Sequence, residues 1–317
     1  MICKPVQMKG GFLHRMYEIR TDIGKFAIKA LNPNIMIRAD AITNYALSEM
    51  AANRSATKIK VSCANEYNGS YLQKHDNQYY LVYDYVNGSI IGTDKITPEH
   101  SYRMGKILAE IHSCDFSDIP FKTESADIES HDFDWTYYLQ EGEKTSEIWC
   151  HLLRNNISLL DKLTNKMNSA LKRWDNCLVV SHCDLDFKNV MWQEGEPIVI
   201  DWECAGYIDS SRDLIGTALY WSLLEDDVFS PEHFAAFING YSEVSTINEC
   251  NVYDALYCGL EVKFDWLEYN LKRSLGIECA DENEKRLGSE QVVYSIGHIN
   301  RYRSNFEAIN KCFAKCL

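Results

Sequence analysis

The chain has 317 residues, 46% hydrophobic and 25% charged, which is the composition of an ordinary globular protein. Its 46 acidic and 32 basic residues give a net charge of −14, which disfavours nucleic acid and anionic membranes as partners. No apolar run approaches the roughly 18 residues of a membrane-spanning helix, and the sequence has no recognisable export signal, so we expect a cytoplasmic protein.

The 12 cysteines are scattered along the chain and lack the short paired spacings of a zinc site. Without an export signal, reduced thiols are expected rather than disulfides. We therefore predict no structural metal.

The N-terminal part alternates short apolar runs with turn signals. The runs MYEIR and KFAIKAL flank the segment 21–24, and this pattern predicts a β-hairpin. Residues 38–53 then show a helical period. The apolar face of that helix is predicted to contain Ile42, Tyr45, Ala46 and Met50. Because KIKVS, SYLQKH and QYYLVYDYV resemble strands, we expect a small antiparallel sheet with one helix.

Helices dominate the sequence after Thr97. Thr97-Pro98 and Ser230-Pro231 each place a capping hydroxyl before a proline, which is typical of a helix start. Gly240 suits the end of the second of these helices. A long amphipathic segment covers residues 149–174, and hairpin-like patches lie only around Val179 and Ile198. This half is predicted to be mostly helical.

The turn-forming tripeptide Asn87-Gly88-Ser89 follows the last of the N-terminal strands. We place the domain boundary there. The prediction is an N-terminal lobe over residues 1–86 and a C-terminal lobe over residues 87–317.

A dense group of ionisable residues lies in SHCDLDFKNVMWQEGEPIVIDWE, residues 181–203. Its start fits the kinase catalytic-loop pattern H-x-D-L-x-x-x-N, with Asp184 and Asn189 at the fixed positions. Asp201 follows the apolar run PIVI, which forms a hairpin with VMW and returns the chain to the loop. This arrangement collects two oxygen ligands for Mg²⁺, Asn189 and Asp201, and one carboxylate, Asp184, that accepts a hydroxyl proton.

Four features of the N-terminal part agree with a kinase. Lys29 ends FAIK, which is similar to the kinase V-A-I-K whose lysine contacts phosphates. Glu49 in the predicted helix is expected to pair with Lys29. The Gly10-Gly11 turn offers backbone N–H groups to phosphates. The Asp84 carbonyl and the Val86 amide are candidates for holding the base.

With these motifs in place, the chain resembles the aminoglycoside phosphotransferase family, relatives of choline kinase and the protein kinases. The resemblance extends from the Gly10-Gly11 turn to Asp213-Leu214. It departs at Cys183, where glycine or arginine is usual, and at the insert Asp186-Phe187-Lys188. It implies an α+β, two-lobed, protein-kinase-like fold with a nucleotide-binding lobe over 1–86 and a catalytic and substrate-binding lobe over 87–317. It also implies ATP or GTP, Mg²⁺ and a hydroxyl-bearing acceptor, often cationic.

A protein kinase is an alternative, because Ser230-Pro231-Glu232 lies where the motif A-P-E would be expected. The intervening RDLIGTALYWSLL, however, is apolar and helix-like, whereas an activation segment should be polar and mobile. A small-molecule acceptor is the better interpretation.

The acceptor is predicted to be cationic because acidic residues flank an apolar helical stripe in NVYDALYCGLEVKFDWLEYNLKR. The apolar stripe consists of Tyr253, Tyr257, Leu260, Phe264, Leu267 and Leu271. The candidate acceptor-binding residues are Glu203, Asp226, Glu261, Asp265, Glu268 and Trp266. Carboxylates and an indole ring can bind ammonium groups. The simpler alternative is a solvated acidic helix face.

Two further functions fit the same motifs. One is a metabolic kinase of the choline, homoserine or methylthioribose type. The other is a catalytically silent nucleotide-binding module, although the presence of Lys29, Asp184, Asn189 and Asp201 argues against it.

Overall fold

The computed structural model describes residues 4–8, 14–122, 130–173, 177–225, 228–247, 250–279 and 281–317. The chain divides into two compact units. A strand-rich unit comprises Met1–Thr123, Val179–Ile208 and Gly240–Thr246. A helical unit comprises Glu124–Leu178, Asp209–Asn239 and Ile247–Leu317. These units are defined by contacts, and the division into lobes at residue 86 stays a prediction.

An antiparallel five-stranded sheet with the order β1-β2-β3-β5-β4 lies in the strand-rich unit. Its strands are β1 (Val6–Gln7), β2 (Arg15–Arg20), β3 (Lys25–Ala30), β4 (Gln73–His75) and β5 (Gln78–Asp84). The predicted hairpin is confirmed, because β2 pairs with β3 and the Thr21 N–H donates to the Gly24 carbonyl at 2.8 Å. The strand predicted at KIKVS is wrong: only Val61 pairs, in an isolated bridge to Val199.

Two helices follow β3 in the chain, α1 (Pro33–Met36) and α2 (Ala41–Ser55). They pack with the sheet around a core that includes Leu31, Tyr45, Ala64 and Leu81. The predicted helix is thus confirmed, but its predicted apolar face is only partly buried, since Tyr45 is buried whereas Ile42 is 44% exposed. The buried face also includes Leu47, Glu49 and several small residues that the predicted face left out.

Where the structure describes it, the rest of the strand-rich unit contains one long helix and five short strands. They are β6 (Ser89–Ile90), α3 (Pro98–His112), β7 (Leu178–Ser181), β8 (Val190–Gln193), β9 (Glu196–Val199) and β10 (Gly206–Asp209). As predicted, the Thr97 hydroxyl caps α3 by accepting from the His100 N–H. The predicted hairpin-like patches appear as β7, which pairs with β10, and as the antiparallel pair of β8 and β9.

The helical unit is built from eight helices within the described residues. They are α4 (Trp135–Thr145), α5 (Cys150–Leu171), α6 (Ser210–Tyr220), α7 (Pro231–Ser242), α8 (Val252–Cys258), α9 (Glu261–Ser274), α10 (Glu282–Ser304) and α11 (Phe306–Cys316). Its core combines aliphatic side chains with large aromatic ones, of which Trp135, Trp149, Trp221 and Phe264 are fully buried. The α+β prediction is confirmed, with an antiparallel sheet near the N-terminus and helices in the C-terminal part.

Two glycines account for differences from the predicted helices. Gly240 lies inside α7, where a Cβ atom would come within 2.0 Å of the Tyr102 carbonyl oxygen, so close backbone approach explains it better than a cap. Gly259 separates α8 from α9, which the sequence suggested as one continuous stripe. A Cβ there would lie 2.5 Å from the Tyr302 hydroxyl. Among the described residues, no helix is both long and apolar enough to cross a membrane.

Candidate active site

The loop between β7 and β8 carries Asp184 and is held by its own side chains. The Asn189 amide nitrogen donates to both the carbonyl and the Oδ2 atom of Asp184, each at 2.8 Å. His182 is fully buried, and its Nε2 lies 3.0 Å from the Ile200 carbonyl oxygen that it hydrogen-bonds. The loop therefore presents the Asp184 carboxylate in a fixed orientation.

Cys183 has a left-handed backbone within this loop, with φ = 60°. Its thiol points toward the carbonyl oxygens of Ser181 and Gly206, both at 3.6 Å. Left-handed conformations cost an ordinary side chain about 1–2 kcal/mol. Cysteine therefore adopts a conformation here that glycine would adopt without that cost.

The charge environment of Asp184 is set by burial and by Lys188. Burial raises the pKa of Asp184, while the positive charge of Lys188 acts in the opposite direction. The Lys188 Nζ atom lies 3.9 Å from Asp184 Oδ2 and 3.3 Å from Asp186 Oδ2. Asp186 is 8% exposed, and its Oδ1 has no hydrogen-bond partner among the described residues. Lys188 and Asp186 thus adjoin the predicted base, Asp184. The catalytic-loop motif did not indicate these two neighbours.

Asn189 and Asp201 supply oxygen atoms of the kind that Mg²⁺ prefers. The hydrogen bonds of Asn189 use its amide nitrogen, so its side-chain oxygen is the atom suited to a metal. Asp201 has a left-handed backbone, and its side chain is 40% exposed. Within the described part of the chain, no three His, Cys, Asp or Glu side chains are grouped to hold a metal. Two protein ligands fit Mg²⁺, which usually takes its remaining ligands from water and phosphate.

Lys29 reaches Asp201 from β3. Its Nζ donates to Asp201 Oδ1 at 2.7 Å and to Glu203 Oε2 at 2.5 Å. Burial by itself would lower the pKa of Lys29, but the two carboxylates outweigh it and the pKa is raised. Lys29 is therefore a buried, charged ammonium group beside a proposed metal ligand.

The expected pairing of Glu49 with Lys29 is not the contact that the structure shows. Glu49 Oε2 accepts from the Ala64 N–H at 2.7 Å, and Oε1 accepts from the Tyr83 hydroxyl at 2.6 Å. Burial raises the pKa of Glu49, although both hydrogen bonds act to lower it. The carboxylate is already satisfied by neighbours that sequence spacing does not reveal.

Glu203, which we expected in the acceptor site, forms an ion pair with Lys29. It also receives contacts from His14 Nε2 at 3.1 Å and from the Tyr45 hydroxyl at 3.4 Å. Burial opposes its ionisation, but the hydrogen bond from His14 and the charge of Lys29 lower the pKa of Glu203 to about 2. No sequence pattern connects His14 or Tyr45 with Glu203, because the tertiary fold alone brings them together.

The remaining predicted nucleotide-binding residues lie at the end of β5 or outside the described residues. Asp84 is the last residue of β5, and its carboxylate accepts from Asn65 at 3.1 Å. Val86 lies just beyond the strand. Gly10, Gly11 and Asp226 fall outside the described residues, so their roles stay predictions.

In the helical unit, two of the predicted acceptor-binding acids are already paired. Glu261 contacts Arg212 at 2.8 Å and His131 at 2.9 Å. Glu268 contacts Lys272 at 2.9 Å and also accepts from the Tyr138 hydroxyl at 2.8 Å. These two carboxylates are largely neutralised.

Asp265 and Trp266 are the more accessible members of the set. The Asp265 side chain is 57% exposed and lies 4.0 Å from His131 Nδ1. Trp266 is 47% exposed, and its ring lies beside that of Tyr269, with centroids 5.5 Å apart. A carboxylate and two aromatic rings thus adjoin on the surface of α9.

Comparisons with known proteins bear on the family and the fold of the chain. The sequence model of a family described as "Phosphotransferase enzyme family" matches residues 7–246. A search of the curated proteins finds no match. Many solved structures are similar, and three of them illustrate their range.

A spectinomycin phosphotransferase in complex with ADP and spectinomycin is 16% identical, with a TM-score of 0.66 over 100% of this chain and 94% of that chain. An ethanolamine kinase from Plasmodium vivax is 16% identical, with a TM-score of 0.59 over 95% of this chain and 83% of that one. An amicoumacin kinase bound to AMP-PNP, Ca²⁺ and Ami is 12% identical, with a TM-score of 0.59 over 96% and 88%. At these identities the similarity shows the fold, and it confirms the predicted fold class.

Proposed function

The chain belongs to the phosphotransferase enzyme family, and on this premise we propose that it is a small-molecule kinase. Members of this family transfer phosphoryl groups to hydroxyl groups. The proposed reaction moves the γ-phosphate of ATP or GTP to a hydroxyl of a cationic acceptor, such as an aminoglycoside, a similar antibiotic or an amino alcohol. The observation that carries this proposal is the cluster in which Asn189 fixes Asp184 and Lys29 contacts Asp201.

The proposed mechanism assigns one task to each member of the cluster. Asp184 orients the acceptor hydroxyl and accepts its proton, and Asn189 keeps the carboxylate in place. Lys29 binds the phosphates of the nucleotide. Asn189 and Asp201 are the residues that would hold Mg²⁺, which supplies positive charge to the phosphates when bound. Phosphoryl transfer needs this positioning more than covalent assistance.

The nucleotide and metal in this proposal are supported by the solved relatives. Those structures contain ADP in one case and AMP-PNP with Ca²⁺ in another. Asp84, Val86, Gly10 and Gly11 remain our candidates for contacts with the nucleotide. The use of ATP or GTP, and of Mg²⁺ in particular, is part of the proposal.

For the acceptor, we favour the surface of α9 that carries Asp265 and Trp266. Glu261 and Glu268 have cationic partners already, whereas within the described residues Asp265 has one ion-pair contact, with His131 at 4.0 Å. An ammonium group placed there gains a carboxylate and a cation–π contact. Ethanolamine, named for one solved relative, combines an amine with a hydroxyl. We therefore propose amine-bearing acceptors, and Glu203 is no longer part of this site.

The test is a screen by mass spectrometry for an added phosphate. Purified protein is incubated with Mg²⁺, with ATP or GTP, and with a panel of aminoglycosides, other basic antibiotics, choline, ethanolamine, homoserine, methylthioribose and neutral polyols. We expect transfer to amine-bearing members, and none with the Asp184→Ala variant. Transfer only to neutral or acidic members would contradict the cationic acceptor.

The same screen addresses the other interpretations. Phosphorylation of choline or homoserine in preference to antibiotics would identify a metabolic kinase instead of an antibiotic-resistance enzyme. Nucleotide binding without consumption across the whole panel would favour the silent module. We also propose that the protein is cytoplasmic and that, if its acceptor is an antibiotic, it confers resistance to that antibiotic.

A further inference from the structure

We propose that His14 and Tyr45 are positioning residues that hold Glu203 against Lys29. In this chain Glu203, rather than Glu49, is then the carboxylate that orients the phosphate-binding lysine. The inference rests on the role proposed above for Lys29, and it assigns functions to two buried residues that no motif includes.

The hydrogen bonds of His14 determine which ring nitrogen carries its hydrogen. The Asn32 backbone N–H donates to His14 Nδ1 at 3.0 Å, so Nδ1 is an acceptor without a hydrogen. The hydrogen therefore lies on Nε2. That atom faces the Tyr45 oxygen at 2.7 Å and Glu203 Oε2 at 3.1 Å. His14 is thus a neutral donor directed at the tyrosine and the carboxylate.

Glu203 Oε2 is the point on which the donors converge. It faces His14 Nε2, the Tyr45 hydroxyl at 3.4 Å and Lys29 Nζ at 2.5 Å. His14, Tyr45 and Lys29 are each more than 90% buried. Their positions are fixed by packing rather than by solvent-exposed loops, so they restrict the carboxylate to one orientation.

Lys29 needs this carboxylate because a buried ammonium group requires a counter-charge. Glu49 is directed elsewhere, since its oxygens accept from the Ala64 N–H and the Tyr83 hydroxyl, whereas the Lys29 Nζ atom donates to Glu203 and Asp201. Asp201, the second partner of Lys29, is the proposed metal ligand and must also serve that role. Glu203 is the partner that can hold Lys29 in place throughout the reaction.

The experiment compares variants that remove or retain the donor. His14→Phe and Tyr45→Phe remove the hydrogen bonds while filling the space, and His14→Gln retains an N–H donor near the Nε2 position. Affinity for AMP-PNP with Mg²⁺ is measured by calorimetry, alongside thermal stability. We expect the two Phe variants to bind about 10- to 100-fold more weakly, as loss of a hydrogen bond to a charged group implies, and His14→Gln to recover at least about tenfold of a His14→Phe loss.

A matched control lies in the same unit. His112 and Tyr241 form a similar pair, with the Nδ1 and hydroxyl atoms 2.9 Å apart and rings at 76°, against 75° for His14 and Tyr45. His112→Phe and Tyr241→Phe should leave the affinity unchanged. If they weaken binding as much as His14→Phe and Tyr45→Phe, or if His14→Gln binds no better than His14→Phe, the inference is overturned.

A second measurement needs neither variants nor activity. ¹H–¹⁵N NMR of the wild-type protein should show the His14 hydrogen on Nε2, and a hydrogen on Nδ1 would contradict the geometry. Failure of the wild type to bind any nucleotide would count against the proposed function instead. The NMR result then still decides whether His14 directs a donor at Glu203.

Discussion

Asp184 and Asp201 are close together, yet they have different proposed tasks. Asp184→Ala removes the proposed base, so we expect transfer to fall by at least about 100-fold with nucleotide affinity nearly unchanged. Asp201→Asn retains a residue that tolerates the left-handed backbone and removes a charge from the metal site. It should weaken Mg²⁺-dependent nucleotide binding as well as transfer.

Calorimetry with AMP-PNP, with and without Mg²⁺, separates these two effects. Equal loss of nucleotide affinity in both variants would show that the assigned tasks are wrong. Asp184 and Asp201 would then act together on the metal.

Glu203 makes stability depend on pH. Its pKa is lowered from 4.5 to about 2 in the folded protein. Its ionised form therefore stabilises the fold above pH 4.5, and this contribution, about 3 kcal/mol, disappears as the pH falls toward 2. In metal-free buffer, the difference in unfolding free energy between wild type and Glu203→Gln should shrink over that interval.

The control is Glu196→Gln. The side chain of Glu196 is 50% exposed and pairs with Arg103 at 3.0 Å, so its removal should matter little at any pH. A difference between wild type and Glu203→Gln that does not change with pH would refute the assignment of the lowered pKa.

Individual site residues were predictable to the extent that a short motif fixes them. Asp184 and Asn189 lie in one loop, and the short β8–β9 hairpin returns Asp201 beside it, so local spacing was enough to expect a cluster. The contact of Glu203 with Lys29 was not expected, and the contacts of His14 and Tyr45 with Glu203 were missed. Their contacts join residues far apart in the chain, and buried donors leave no periodic pattern in a sequence.

At the scale of helices, α9 and α10 pack closely because of Gly288. A Cβ atom at Gly288 would lie 2.8 Å from the Ser274 backbone nitrogen, whereas one at Gly297, in the same helix, would meet only the flexible end of Arg301 at 3.2 Å. We expect Gly288→Ala to lower the free energy of unfolding by about 1–3 kcal/mol. Gly297→Ala should raise it by about 0.5–1 kcal/mol.

Denaturant titration of the two variants provides the measurement. Since both substitutions place alanine in α10, helix propensity cancels in the comparison. Equal effects would mean that backbone approach does not limit the packing of α9 on α10.

The elements were predicted well where their ends carry a chemical signal. Thr97 and the 21–24 turn satisfy backbone groups locally, so their sequence is sufficient to place them. Gly240 was interpreted as a helix end, and the break at Gly259 was not expected, because each glycine closely approaches a residue distant in sequence, Tyr102 or Tyr302. The buried face of α2 was only partly predicted: Tyr45 is buried as expected, whereas Glu49 is buried through contacts with Ala64 and Tyr83 that its spacing does not reveal.

For the whole molecule, the net charge of −14 bears on the acceptor. A negative surface attracts a polycation at long range, and dissolved salt weakens this attraction. The Debye length, beyond which the attraction is largely screened, is about 10 Å at 0.1 M salt. The KM for a polycationic acceptor should therefore rise at least about threefold between roughly 0.05 and 0.5 M KCl. The KM for a zwitterionic acceptor such as homoserine should change much less and is the internal control. A KM independent of salt for both would exclude long-range attraction.

The left-handed backbone at Cys183 has a consequence for how the protein tolerates mutation. The loop that presents Asp184 contains a conformation that disfavours its own side chain, so its geometry depends on the neighbours that surround it. Part of the free energy of folding is thus committed to holding the loop. The free energy of unfolding that remains to offset destabilising substitutions elsewhere is therefore smaller. Replacement of Cys183 by glycine would raise that free energy while keeping Asp184 in the loop.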